Sequence, residues 1–417
     1  MYTGSLRGHP HRRAAAEVSY AIIALRDRCW RCIIHISHLS LSNFRNYERL
    51  ELDIPPRLSV LYGDNAQGKS NLLEAIYLLA TTRSHRATTE RELLSWSVPR
   101  DGVEVSRLVA QVQKAGGPVQ VELALMASFP ATTDGPEEAG APEPRLVQKR
   151  IKVNGINRRA IDLVGQVNVV LFTSQDIDLI SGAPSARRRY LDVTSSQVDS
   201  RYLRTLQRYS KVLTQRNHLL RMIRERRAGL DQLDFWDGEL VANGSYLIEA
   251  RQRMVSELDG LARPVHQRLT GEKETLQMEY VRSVSADDFA ERLTRVRERE
   301  TAQGMSVVGP HRDNVSFTVN GTDMNTYGSR GQQRTIALSL RLAEASFMQA
   351  RTHETPVLLL DDMLSELDIP RRRHLLDFIA SQQQVVITTT DLDCFTPSFL
   401  AEASVFQVKE GTLAPVN

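Results

Sequence analysis

The chain has 417 residues, 41% of them apolar and 25% charged, the balance of a globular protein with room for two or three domains. With 53 Lys and Arg against 50 Asp and Glu the net charge is +3, and no run approaches the roughly 18–20 apolar residues of a membrane span, which excludes an integral membrane role. Three cysteines exclude a disulfide framework, and without the apolar core of a secretory leader they point to a reducing cytoplasm.

Residues 1–32 carry Arg7, Arg12, Arg13, Arg26, Arg28 and Arg31 against Glu17 and Asp27, a net of +4, so the remainder sums to −1. That composition suits a transit peptide or an upstream extension. Cys29 and Cys32 form a lone CxxC with no second ligand pair, too few for zinc.

From Ile34 the apolar residues alternate through Ile54, which predicts a hairpin leading into a strand over 58–62. A Gly-containing turn and a helix from Lys69 follow. The segment 130–144, PATTDGPEEAGAPEP, has almost nothing to bury and reads as a disordered surface loop. Residues 149–154 and 157–161 flank Asn154-Gly155 as a second hairpin.

Over 185–304 long polar helices are expected, with few strand signals. Tyr202, Leu206, Tyr209, Leu213, Leu220 and Ile223 fall at heptad-like spacing, a seam that Arg216 interrupts. The expectation is a short antiparallel helical arm, roughly 60–80 Å long at ~1.5 Å rise per residue. Strand signals return at 317–319, 357–360 and 385–388 in alternation with helices, the order of an α/β sheet. The simplest architecture is one α/β domain with the arm inserted in it: 33–184 and 305–417 form the domain and 185–304 the arm.

The run Gly63-Asp64-Asn65-Ala66-Gln67-Gly68-Lys69-Ser70 fits GxxxxGK[ST] between a strand and an amphipathic helix. In such a loop backbone N–H groups surround a β-phosphate, Lys69 reaches the β/γ oxygens, and the Ser70 hydroxyl ligates Mg²⁺. Val357-Leu358-Leu359-Leu360-Asp361-Asp362 is an apolar strand ending in two carboxylates, a weak signal alone that gains force beside a phosphate loop. Asp361 then suits the metal and Asp362 the activation of water. Ser329-Arg330-Gly331-Gln332 opens a helix and offers a second anion site, although the tetrapeptide fits a simple capped helix equally well.

Together with these motifs, LSNFRNY (41–47), GDNAQGKSNLLEAIYLLATTRSHR (63–86), SGAPSARRRYLD (181–192), GPHRDN (309–314), YGSRGQQRT (327–335) and LLLDDMLSELD (358–368) resemble the bacterial RecF family of recombinational repair. The resemblance runs from about residue 33 to the end, apart from 130–144, so 1–32 is expected to be a non-structural N-terminal extension. It implies an ABC-type P-loop ATPase head, akin to SMC proteins, that dimerises with ATP between the phosphate loop of one copy and the signature Ser329, Gly331 and Gln332 of the other. It also implies Asp368 at the dimer interface and Gln175 as a contact to Mg²⁺ or water, although Thr173-Ser174-Gln175-Asp176 departs from the Pro-Glu-Asp usual in the family. Asp362 is one methylene shorter than the Glu of many ABC ATPases, and Thr389 and Thr390 stand where those enzymes often carry a histidine. Both favour a weak ATPase in which ATP drives dimerisation.

Residues 185–227 hold twelve Lys and Arg against Asp192, Asp199 and Glu225, a local net of +9. Arg201, Arg204, Arg208 and Lys211 recur at steps of three and four and form one helical stripe, expected with Arg187 and Arg188 to contact DNA phosphates. A solvated face is the plainer reading of such a stripe. Arg83, His85, Arg86, His311 and Arg312 are further candidates for nucleotide or DNA contact, with a satisfied core histidine as the alternative for His311. The resemblance implies binding of single-stranded or gapped DNA, placement of RecA with RecO and RecR, replication restart and the SOS response. An SMC-like structural clamp using ATP only as a dimerisation switch is the alternative; an ABC transporter subunit is disfavoured by the long basic insert.

Overall fold

The computed structural model describes residues 34–95, 103–129 and 146–416; the expectations for 1–32 and 130–144 lie outside them. The strands, in chain order, are β1 His35–Phe44, β2 Tyr47–Asp53, β3 Arg57–Tyr62, β4 Val103–Gln113, β5 Val119–Ser128, β6 Leu146–Val153, β7 Ile156–Arg158, β8 Val169–Thr173, β9 Leu276–Val281, β10 Asn314–Val319, β11 Thr322–Asp323, β12 Val357–Asp361, β13 Gln384–Thr389, β14 Ser404–Lys409 and β15 Thr412–Pro415. The longer helices are α1 Lys69–Thr81, α2 Pro184–Val198, α3 Ser200–Arg224, α4 Leu233–Leu269, α5 Phe289–Gln303, α6 Arg330–Thr352 and α7 Ile369–Ala380.

Two six-stranded sheets carry the head. One is antiparallel throughout, in the order β2-β1-β4-β5-β6-β7; Asn154 and Gly155 turn β6 into β7 with φ of 52° and 76°. The other runs β15-β14-β3-β13-β12-β8, parallel except at β15. Strands β8, β12 and β13 are buried at consecutive positions because both faces are covered. Leu61, Val169, Leu171, Val357, Leu359 and Val386 join one core with α1 and the antiparallel sheet, whereas Val60, Val170, Phe172, Leu358, Leu360 and Ile387 join a second core with the helices. Alternation along each strand thus decides which core a side chain enters. Each such burial stabilises by about 1.5–3 kcal/mol.

Parallel order places the carboxyl ends of β3, β13 and β12 side by side, the edge at which open α/β sheets bind ligands. The phosphate loop leaves β3 there, and Asp361 ends β12 at the same level, in register with Thr388 of β13.

The helical segment departs from expectation in three respects. Leu276, Met278 and Tyr280 are buried on alternate positions of β9, which pairs antiparallel with β10 in a separate three-stranded sheet with β11. The strand expected at 317–319 therefore lies outside the α/β sheet. The period-2 pattern of LQMEYV was readable but stood in a helix-rich context. The arm is also shorter than expected: α3 has 25 residues and α4 has 37, about 38 and 55 Å at ~1.5 Å rise.

Arg216 does not interrupt the α3 seam, because it is itself buried at 0% exposure. Its Nε donates to Asp237 Oδ1 of α4 at 2.6 Å, its Nη2 to Glu300 Oε2 of α5 at 2.7 Å, and its Nη1 to Ser306 Oγ at 2.7 Å. A buried guanidinium persists only when its donors are satisfied by paired charge. Further antiparallel contacts of α3 with α4 run from Arg208 to Glu239 and from Tyr202 to Arg251.

Candidate functional site

The phosphate loop is held by residues from both ends of the chain. Gly63 has φ 154°, and a Cβ there would lie 2.4 Å from Val408 O of β14. Gly68 caps α1 with φ 114°, where a Cβ would meet Asn46 Nδ2 at 2.5 Å. Only glycine fits so close an approach in that conformation. Asn46 Nδ2 donates to Gln67 O at 3.0 Å, and the buried Tyr47 hydroxyl donates to Gly68 O at 3.0 Å. The turn between β14 and β15 closes the other side: Gly411 N donates to Gln67 O at 3.1 Å and Glu410 N to Gln67 Oε1 at 2.7 Å. Asp64, Asn65 and Ala66 form the exposed tip, with Ala66 at φ 64°.

Lys69 Nζ donates to Gly63 O at 2.6 Å and to Asp64 O at 2.7 Å. Burial lowers its pKa, against the opposing pull of Asp362, Asp361 and Asp64. Ser70 Oγ donates to Asp361 Oδ1 at 2.6 Å across 291 positions of sequence. The same oxygen accepts from Thr388 Oγ1 at 2.9 Å. A hydroxyl and a carboxylate at the mouth of a phosphate loop are hard oxygen donors of the type Mg²⁺ prefers, so Ser70 and Asp361 fit that ion.

Asp362 has a left-handed backbone, φ 50°, and its N–H donates to Thr388 Oγ1 at 3.0 Å. Burial raises its carboxyl pKa, while the Ser365 hydroxyl and Lys69 pull it down. Thr388 thus steadies both acids, a role that the strand pattern alone did not reveal; Thr389 instead donates to Asp391 O.

Gln175 is exposed in the turn Ser174–Ile177 after β8, whose Thr173 pairs with Asp361. Ser329 caps α6 in a reciprocal capping box with Gln332, whose Nε2 also donates to Glu274 Oε1 at 3.0 Å. Ser329 and Gly331 are exposed, and Gly331 has open space where a side chain would stand. Asp368 caps α7 and is exposed.

Within α1, Glu74 is a fully buried carboxylate held by Arg45 at 2.9 Å, Arg86 at 2.8 Å and the Ser84 hydroxyl. Burial alone would raise its pKa, but hydrogen bonds from Arg45, Ser84 and Arg86 outweigh it and hold the carboxyl at about 2. His311 takes the satisfied-core alternative: it bonds Tyr209 Oη and Ser306 O, and burial lowers its pKa to about 4.

Arg201, Arg204, Arg208 and Lys211 all lie exposed on one side of α3. Arg201 stacks 4.4 Å above the Tyr246 ring, Arg204 donates to Ser200 Oγ, and Arg208 pairs with Glu239 at 2.8 Å. Arg188 is half-buried and donates to Asp313 O at 2.8 Å. Arg187 requires correction. It is 5% exposed and spends its donors on Asn314 Oδ1 and the carbonyls of Leu179, Ile180 and Gly182, so it braces the start of α2 and cannot reach a phosphate on the surface.

Residues 35–413 match the family model described as the RecF/RecN/SMC N terminal domain. A protein of Roseiflexus castenholzii named DNA replication and repair protein RecF is 45% identical over 400 residues, covering 92% of this chain and 100% of that protein. Its namesake in Shouchella clausii is 37% identical over 91% of this chain and 99% of its own length. A solved structure of the recombination mediator protein RecF with ATP, of the RecFOR pathway, superposes with a TM-score of 0.80 at 30% identity, covering 94% of this chain and 100% of that one. A Pyrococcus furiosus Smc head domain, at TM-score 0.50 and 14% identity, shares the fold.

Proposed function

The chain belongs to the RecF family of DNA replication and repair proteins, and on that premise we propose that it is an ATP-dependent DNA-binding protein that dimerises around ATP. The observation that carries the nucleotide half is the 2.6 Å contact between Ser70 and Asp361, which come from opposite ends of the chain yet form one oxygen-donor pair beside Lys69. Bound Mg²⁺ would supply positive charge shared among the phosphate oxygens. The chain's part is to hold Ser70 and Asp361 together, to direct Lys69 at phosphate, and to present Asp362 as the acceptor of a proton from water.

The exposed signature residues Ser329 and Gly331 at the start of α6 suit contact with the nucleotide of a second copy, since a capped helix N-terminus offers N–H groups to an anion. Gln332 serves by fixing that terminus, and Gln175, exposed in the turn after β8, is the proposed contact to Mg²⁺ or water. The α3 stripe of Arg201, Arg204, Arg208 and Lys211, together with Arg188 of α2, is the proposed DNA surface. Its contacts would be to phosphates, giving single-stranded or gapped DNA affinity with little base preference.

The wider role is assistance to RecA on gapped DNA with RecO and RecR partners, in repair, replication restart and SOS induction. Hydrolysis is proposed to be slow, with Asp362 in place of a longer Glu. The short arm weighs against a scaffolding clamp with a distant hinge.

Sedimentation with and without Mg-ATP tests the reading. The native chain should form dimers only with nucleotide, while Lys69→Ala and Asp361→Ala should remain monomers. Nucleotide-driven dimers in both variants would refute it.

A further inference from the structure

A groove of about 1130 Å³ lies between the segment that follows α1 and the helices α2 and α3. Arg83, Arg86, Arg188 and Arg189 line it, while Lys149 and Glu90 in its wall pair with each other. Asp192, the other acid on the lining, is paired with Arg251 at 2.7 Å. Arg188 and Arg189 each donate to a backbone carbonyl, of Asp313 and Ser84, and a guanidinium has five N–H donors, so capacity for an anion remains. The excess of unpaired positive charge along an open groove matches a phosphodiester backbone.

Arg86 ties this groove to the phosphate loop. Its side chain is 31% exposed, and its Nη2 donates both to Glu74 Oε2 at 2.8 Å and to Asn71 Oδ1 at 2.6 Å. Asn71 Nδ2 donates to Asn46 Oδ1 at 2.7 Å, and Asn46 Nδ2 donates to Gln67 O inside the loop at 3.0 Å. Four residues thus form an unbroken hydrogen-bonded line from the groove to the backbone that would surround a phosphate. Glu74 does not depend on Arg86 alone, because Arg45 holds it through two bonds of 2.9 Å and Ser84 through a third. Drawing Arg86 outward would therefore leave the buried acid paired while releasing Asn71.

We propose that Arg86 is a positioning residue through which a nucleic-acid phosphate in this groove and a nucleotide on the phosphate loop sense each other, by way of Asn71 and Asn46. The inference rests on the ATP-dependent DNA-binding reading above and names the line of coupling within it. A phosphate that competes with Asn71 for the Arg86 guanidinium frees the Asn71 amide to turn, and Asn46 then loses the partner that orients it against Gln67 and Gly68. Reciprocity requires that nucleotide alter groove affinity by the same factor.

The test measures the affinity of the full-length chain for a fluorescent ATP analogue, with and without saturating oligothymidylate. In the native chain the oligonucleotide should change nucleotide affinity about five-fold or more. Asn71→Ala should reduce that change to within about two-fold while leaving oligonucleotide affinity without nucleotide near the native value. Asn71→Asp keeps the acceptor for Arg86 but loses the donor to Asn46, so it should uncouple the sites as well, and it serves if the alanine variant does not fold. Arg86→Ala should lose the coupling and also lower the salt dependence of oligonucleotide binding by about one unit of slope. Full coupling retained in both Asn71 variants would overturn the relay. A native chain that binds both ligands independently would also overturn it, and one that binds no oligonucleotide would instead defeat the DNA-binding reading itself.

Discussion

The phosphate loop and the helical arm solve opposite problems with charge. At the loop, Asp361 and Asp362 remain partly accessible while Lys69 is buried, and all three are steadied by neutral groups, namely backbone carbonyls, Ser70 and Thr388. In the arm, Arg216 is shut away at 0% exposure against Asp237 and Glu300, whereas the arginines of the α3 stripe stay on the surface. Charge held by neutral dipoles can be redirected to a ligand, but charge buried against counter-charge is committed to the fold.

Four perturbations sharpen that contrast. The largest effect is expected from Arg216→Ala, which leaves the Glu300 carboxylate buried without its partner. It should destabilise by about 3–5 kcal/mol in chemical denaturation, whereas Lys69→Ala should change stability far less while abolishing nucleotide binding.

Acid comes next. The Glu74 carboxyl is held at about 2 against an ordinary value of 4.5. Its stabilisation is complete above the ordinary value and is lost as pH falls from there toward 2, on the order of 3 kcal/mol in all. Denaturation midpoints across that window should fall in the native chain and flatten in Glu74→Gln.

Gly68→Ala follows, since the methyl group would enter the space of Asn46 at a backbone angle few side chains adopt. A strain of ~1–3 kcal/mol should weaken nucleotide affinity about ten-fold or more, as isothermal titration would read. Smallest are the stripe residues. Arg204→Ala or Lys211→Ala should alter stability by less than about 0.5 kcal/mol, yet each should reduce the slope of DNA affinity against salt by about one.

What was legible in the sequence followed the same divide. The phosphate loop and the Asp361-Asp362 pair could be read because their chemistry is local: glycines at fixed offsets, a lysine and a hydroxyl at a helix start, two acids at a strand end. The braces of the loop could not, since Asn46, Tyr47, Glu410 and Gly411 meet Gln67 and Gly68 only through tertiary folding. Arg216 was misread for a related reason. Its charge suggested an interruption of the seam, and only the positions of Asp237 on α4 and Glu300 on α5 explain its burial. Arg187 belonged by sequence to a basic run but by packing to the carbonyls at the start of α2. The exposed stripe, by contrast, followed from steps of three and four alone.

The central claim is that nucleotide at the phosphate loop governs DNA binding. It is tested most directly by titrating single-stranded, duplex and gapped DNA against the native chain and Lys69→Ala, with and without Mg-ATP, over a range of salt. The account predicts that ATP tightens binding of single-stranded or gapped DNA by the native chain, with steep salt dependence, and has no effect on the variant. Equal affinities with and without ATP in the native chain would contradict it.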